Sequence, residues 1–228
     1  PLHPYWSFEG PLGTFERASL QRGYQVYTEV CAGCHSMNYL SYRNLIEDGG
    51  PEFSEAQAKA MAAQFEVKDG PNEDGEMFLR PAILSDKFVS PWENEQQGRA
   101  ANGGAYPPDL SVMVKARSGG ADYLYSLLVG YEDPPSDIKL DDGVYYNIYA
   151  KGQKIAMPQL LYDGAVEYTD GTVATPEQMA YDVTSFLTWA AEPKLEARKR
   201  IGFKVIVYLL ILSFLLYFTN KQIWRENH

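Results

Sequence analysis

Cys31-Ala32-Gly33-Cys34-His35 is the stretch on which the reading of this chain turns. A C-x-x-C-H run is the attachment pattern of a c-type haem. Two thiols three residues apart can each form a thioether to one haem vinyl group, and the next residue offers an imidazole to the iron. These are the only cysteines in the 228 residues. A structural zinc site needs four ligands, and the other histidines, His3 and His228, stand at the two chain ends. A thioredoxin-type pair wants a βαβ context that is hard to find here, and a plain Cys31–Cys34 disulfide is the simplest rival. The haem reading implies electron transfer.

Upstream of the motif, Leu20, Tyr24, Tyr27 and Cys31 fall at i, i+4, i+7 and i+11. One face of a helix starting near Phe15 would therefore carry the first cysteine inward, with Gly33 helping to end it. A second helix is signalled at Thr175-Pro176-Glu177-Gln178, where threonine caps, proline takes the first helical position and Gln178 completes a capping box. Met179, Val183, Phe186 and Leu187 form its apolar stripe, and Pro193 ends it. Between these two the sequence is rich in glycine and proline, with short helical patterns at 55–65 and 121–129. Long loops packed on an apolar cofactor, rather than a sheet, are the expectation.

The C-terminal run VIVYLLILSFLLYF (205–218) is apolar but for Ser213 and the tyrosine hydroxyls. Extended to 201–219, at ~1.5 Å per residue, it crosses most of a hydrocarbon layer about 30 Å thick. Lys204 can snorkel to the headgroups, and Tyr217 and Trp224 suit an interface belt. A single span anchoring the chain in a lipid bilayer is expected, which divides the sequence into a haem domain (1–193) and an anchor (194–228). No internal repeat suggests further division.

Charge and chemistry disagree about orientation. Lys194, Arg198, Lys199, Arg200 and Lys204 precede the span, whereas Lys221 and Arg225 follow it, so the positive-inside rule places the large domain in the cytoplasm. Covalent haem attachment implies the far side, and long domains translocate largely regardless of flanking charge. The domain is therefore expected in the periplasm or its equivalent, on a chain that has lost its targeting peptide. The haem domain carries 28 acidic and 13 basic residues, a formal charge near −15. That field disfavours nucleic acid and favours a basic partner. Glu66, Asp69, Glu73, Asp74 and Glu76 form one acidic cluster; Glu132, Asp133, Asp137, Asp141 and Asp142 form another.

A second axial ligand has several candidates. Met37 is too close to His35 to reach the opposite haem face; Met61 and Met179 lie in amphipathic helical patterns; Met77 sits in an acidic loop; Met113 follows a proline turn. Met157, in the loop Lys154-Ile155-Ala156-Met157-Pro158, lies far downstream of the attachment site. Core packing is nonetheless a methionine's commoner role, so spacing alone leaves the ligand open.

Taken together, Cys31 to His35, the run Arg99-Ala100-Ala101-Asn102-Gly103-Gly104-Ala105-Tyr106-Pro107-Pro108-Asp109-Leu110-Ser111, the Ile155-Ala156-Met157-Pro158 loop, Trp189-Ala190-Ala191-Glu192-Pro193 and the C-terminal span closely resemble the cytochrome c1 family. These are the haem subunits of cytochrome bc1 complexes, here in what looks like a bacterial form. The resemblance covers essentially the whole chain. It implies a mainly α, class I cytochrome c-like haem domain with long loops and one C-terminal transmembrane helix. It also implies one covalently bound haem c with His35 and Met157 on the iron, Arg99 near a haem propionate, and Tyr106 and Pro107 against the haem. Arg99 offers a planar fork to a carboxylate, and Pro107-Pro108 stiffens the wall. Some bacterial relatives brace the methionine loop with an extra disulfide that this sequence has no cysteines to form; Tyr145, Tyr146, Tyr149 and Tyr162 are candidate supports instead.

The function so implied is that of the electron-transfer subunit of a ubiquinol:cytochrome c oxidoreductase, with no bond-making catalysis of its own. It would pass electrons from the Rieske iron-sulfur protein to a basic or membrane-tethered cytochrome c, beside cytochrome b in a dimeric complex of the bacterial inner membrane. A terminal-oxidase haem subunit or a free-standing anchored carrier would share the haem motif and the span but not the 99–111 run. A gas sensor or peroxidase would need an open sixth position.

Overall fold

A computed structural model describes residues 1–226; His228, one of the two distant histidines above, lies outside them. Helix α1 (Arg17–Val26) runs into a wider, π-helical turn (Tyr27–Cys31), closed by the N–H of Ala32 donating to the carbonyl of Tyr27 at 2.7 Å. The helix expected from the 3.6-residue pattern is thus present, but its last turn is loosened just where it delivers Cys31. Such π turns are commonly found at functional positions.

Helix α2 (Glu55–Ala62) and helix α5 (Gly120–Val129) occupy the two short periodic segments, while α3 (Glu95–Ala101) and the single turn α4 (Met113–Ala116) lie between them. Ser54 and Gln57 form a reciprocal capping box at the start of α2. Helix α6 (Pro176–Ala191) starts as read, with Thr175 Oγ1 accepting the N–H of Gln178 at 3.2 Å. The expected capping box is only half formed, however. The N–H of Thr175 donates to the carbonyl of Val173 rather than to the Gln178 side chain, whose NH2 is turned to Asp182 Oδ2 at 3.0 Å.

The domain is organised on the crossing of α1 and α6. Gly23 makes the approach possible: a Cβ there would stand 2.1 Å from the carbonyl oxygen of Asp182. Around the contact, Leu20, Tyr24 and Val26 of α1 pack with Met179, Val183, Phe186 and Trp189 of α6 in one buried cluster. Asp182, fully buried, is satisfied by Ser19 Oγ (2.7 Å) and by a two-pronged contact from Arg22 (2.8 and 3.0 Å). A charge in this place is tolerable only because each of its oxygens has donors.

Two small antiparallel hairpins appear where loops alone were expected. Strands β1 (Glu66–Asp69) and β2 (Phe78–Pro81) carry the first acidic cluster, with Glu66 at the open end and Asp69, Glu73, Asp74 and Glu76 at or beside the tip; β3 (Tyr145–Tyr146) pairs with β4 (Lys154–Ile155) just before Met157. Neither has the alternating apolar face by which a strand is recognised in sequence. The N-terminal segment, about which the sequence says little, packs on the domain through Trp6. Trp6 is buried, stacks on Tyr181 (4.9 Å) and Phe8 (5.3 Å), and donates from Nε1 to Asp122 at 2.7 Å, strapping α5 to α6.

Helix α7 (Leu195–Glu226) is 32 residues long and carries the one apolar stretch, among the described residues, long enough to cross a membrane. Its large apolar side chains from Ile201 to Trp224 face outward, while Leu195 is buried in the domain. Glu196 accepts two bonds from Arg17 (2.7 and 2.9 Å) and one from the N–H of Phe15 (2.8 Å). The first turn of the anchor is therefore tied into the domain.

Candidate haem site

The Cys31–His35 segment is a tight turn in which the N–H groups of Cys34 and His35 both donate to the carbonyl of Cys31, at 3.1 and 2.9 Å. Three neighbours seat it. His35 Nδ1 lies 2.8 Å from the carbonyl of Pro108, Trp92 Nε1 donates to the carbonyl of Cys34 at 2.9 Å, and the hydroxyl of Tyr27 donates to the carbonyl of His35 at 3.3 Å. A carbonyl can only accept, so Nδ1 carries the proton and Nε2 keeps its lone pair. Burial holds His35 below the ordinary imidazole range, against the opposing hydrogen bond to Pro108, which favours the neutral, ligating form. A ring nitrogen fixed by a backbone acceptor while its partner points free is the usual support of a metal-bound histidine.

Burial, aided by Cys34, pushes the Cys31 thiol up to about 12. Both cysteines are free of any disulfide. Two free thiols and a neutral imidazole nitrogen on one tight turn are a donor set that fits haem c.

The 99–111 run lies against this turn, and its order is visible. Leu110 N–H donates to Ser36 (2.8 Å); Asp109 accepts from Ser36 Oγ (2.9 Å), the N–H of Asn38 (2.8 Å) and the N–H of Ser111 (2.8 Å). Burial works against the Asp109 charge, yet donors from Ser111, Asn38 and Ser36 together hold its carboxyl below the usual range. Tyr106 packs face-on to Gly98, where a Cβ would meet its ring at 2.7 Å, and Arg99 lies over the same ring at 5.9 Å. Arg99 is half exposed, paired with Glu95 (2.6 Å) and bonded to the carbonyl of Gly104 (2.9 Å). Its fork is held ready at the surface rather than buried, while Pro107 is half-buried beside it.

Among the described residues no hydrogen bond or ion pair joins the Met157 loop directly to the Cys31–His35 turn. The loop is braced by Tyr131, whose hydroxyl donates to the carbonyl of Met157 at 2.9 Å. Buried Asn147 fixes the base of the hairpin through Leu127 (2.7 Å), Tyr149 (3.0 Å) and Ala150 (3.1 Å). Of the four tyrosines expected as supports, Tyr146 is buried and Tyr149 packs on Gly130, but Tyr145 and Tyr162 are exposed. Sequence reasoning missed Tyr131, Trp92 and Asp109 as the groups that hold the site. Their only signal was position, beside Gly130, after Pro91 and within the proline run.

The geometry defines a domain suited to a c-type haem, carried on a helix long and apolar enough to cross a membrane. Comparison with known proteins gives the family. The cytochrome C1 family model matches residues 6–227. The chain is 49% identical over 242 residues to "Cytochrome b/c1" of Bradyrhizobium diazoefficiens, covering 98% of this chain and 35% of that protein. It is 55% identical over 215 residues to "Cytochrome c1 2, heme protein, mitochondrial" of Arabidopsis thaliana, covering 94% and 68% of the two chains. It is also 50% identical over 220 residues to "Cytochrome c1, heme protein, mitochondrial" of Saccharomyces cerevisiae, covering 96% and 70%. The chain belongs to the cytochrome c1 family. Membership implies a haem c cofactor and the role of an electron carrier in a bc1-type complex, without bond-making chemistry of its own.

Proposed function

We propose that the chain accepts one electron at a time from a Rieske iron-sulfur protein and passes it to a basic or membrane-tethered cytochrome c. It would stand beside cytochrome b in a dimeric ubiquinol:cytochrome c oxidoreductase of a bacterial inner membrane. Residues 1–193 form the haem domain, facing the periplasm, and 194–228 the anchor. Cys31 and Cys34 hold one haem c by thioethers, His35 Nε2 and Met157 ligate the iron, Arg99 steadies a propionate, and Tyr106 and Pro107 line the haem wall. When bound, the haem supplies a one-electron iron couple whose potential a thioether ligand raises.

The observation that carries this reading is the seating of the Cys31–His35 turn: His35 Nδ1–H committed to Pro108, Nε2 left with its lone pair, and both thiols free. What the residues do is hold still. The Pro108 carbonyl orients the ring, Trp92 and Tyr27 seat the turn, and Tyr131 braces the methionine loop, so these residues would hold the groups that receive the haem.

The test is covalency. Denatured protein from membranes should keep its haem on a gel, and replacing both Cys31 and Cys34 by Ala should abolish the haem band. Haem lost from denatured wild type would overturn the assignment.

A further inference from the structure

The five basic residues that run against the positive-inside rule have different fates. Lys194 pairs with Glu47 (2.5 Å), Arg198 with Glu192 (2.6 Å), and Lys199 Nζ donates to the carbonyls of Phe8 (2.5 Å) and Gly13 (3.1 Å). Arg200 and Lys204 form no ion pair among the described residues. Both line a cavity of about 220 Å³ between the first turns of α7 and the 11–14 loop, together with Lys199, Leu12 and Phe203. The one carboxylate in its wall, Glu196, is already neutralised by Arg17.

We propose that this cavity binds the headgroup of an anionic phospholipid on the haem-domain side of the membrane. Positions 196, 199, 200, 203 and 204 share one face of α7 by their i, i+3 and i+4 spacing, so Arg200 and Lys204, unlike the tethered Lys199, bring unpaired cations to the wall of one opening. The opening lies where α7 leaves the domain, at the level of the headgroups if 201–219 spans the bilayer. Phe203 and Leu12 are largely exposed beside the cations, an apolar lip suited to acyl chains. Fixed cations around a cavity at the membrane surface complement a phosphodiester and would leave a zwitterionic headgroup less tightly held.

The proposal rests on α7 being a membrane helix but not on the haem assignment, so the two fail separately. The full chain is purified in detergent and loaded into nanodiscs of phosphatidylcholine alone or mixed with phosphatidylglycerol, and the lipid retained after extraction is counted by native mass spectrometry. Wild type should keep phosphatidylglycerol in preference to phosphatidylcholine, excess inorganic phosphate should not displace it, and R200Q/K204Q should bind it about thirtyfold more weakly. Haem content, visible spectrum and electron transfer should be unchanged in that variant. R200K/K204R, which keeps both charges, should retain the lipid, separating lost recognition from misfolding. Equal retention of both lipids, displacement by phosphate, wild-type affinity in R200Q/K204Q, or lipid lost equally from both variants would overturn the proposal.

Discussion

Tyr131 shows what a single hydroxyl is asked to do here. Among the described residues it is the one side chain that bonds the backbone of Met157, and burial, with Tyr145 nearby, pushes its ionisation upward, so it remains a donor at any physiological pH. Tyr131→Phe deletes that donor without altering shape. The expected cost is about 1 kcal/mol of local stability, seen as faster hydrogen exchange over the loop that carries Met157 and a small fall in potential; unchanged exchange would show that packing alone holds the loop. At this scale the sequence was partly legible. The C-x-x-C-H spacing names its chemistry because thioether formation and axial ligation need those residues in that order. Tyr131, Trp92 and Asp109 were illegible because their roles depend on a backbone acceptor or donor brought from elsewhere in the chain, which no local pattern encodes.

At the scale of elements, the crossing of α1 and α6 depends on a missing side chain and a buried charge. Gly23→Ala drives a methyl into the Asp182 carbonyl and should cost about 1–3 kcal/mol or more, since backbone cannot yield as a side chain does. Asp182→Ala leaves Arg22 with Asp170 alone (2.8 Å) and takes the acceptor from buried Ser19, and should cost about 1–3 kcal/mol; thermal unfolding of both variants measures this. The seam between α1 and the start of α7 is pH-sensitive. A hydrogen bond from Arg17 holds the Glu196 carboxyl below its ordinary value, against the opposing pull of burial. A depressed carboxylate stabilises fully above the unfolded-state value of about 4.3 and loses that contribution as pH falls through the folded value. The melting-temperature gap between wild type and Glu196→Gln should therefore be open at pH 7 and close in acid; a pH-independent gap would show that shape, not charge, matters there. Helices α1, α2, α5 and α6 were legible because apolar spacing and caps are local. The π turn, the half-made cap at Thr175 and the two hairpins were not, since each is settled by a tertiary partner.

Over the whole molecule, the excess negative charge is not evenly useful. Asp69 of the first acidic cluster is already paired with Arg80, which also holds Asp86 (2.6 Å). The second cluster lies on the loop between Tyr131 and β3, next to the brace of Met157, and its carboxylates make no ion pair among the described residues. Converting Glu132, Asp133, Asp137, Asp141 and Asp142 to their amides should lower the association rate with a basic cytochrome c and flatten its salt dependence more than the same change at Glu66, Asp69, Glu73, Asp74 and Glu76. Stopped-flow electron transfer at several ionic strengths decides between them. The anchor was legible from length and apolarity alone. The N-terminal strap was not, because Trp6 finds its place only when α5 and α6 are already together.

The central claim is that this fold presents His35 and Met157 to one covalently held haem, and a redox titration of membranes carrying wild type or Met157→Leu tests it most directly. Loss of the thioether should lower the midpoint potential by an amount on the order of a few hundred mV, within the ~0.8 V range over which axial ligands set haem potentials. The reduced variant should also bind carbon monoxide, which the wild type should exclude. A Met157→Leu protein with the wild-type potential and no carbon monoxide difference spectrum would contradict the account.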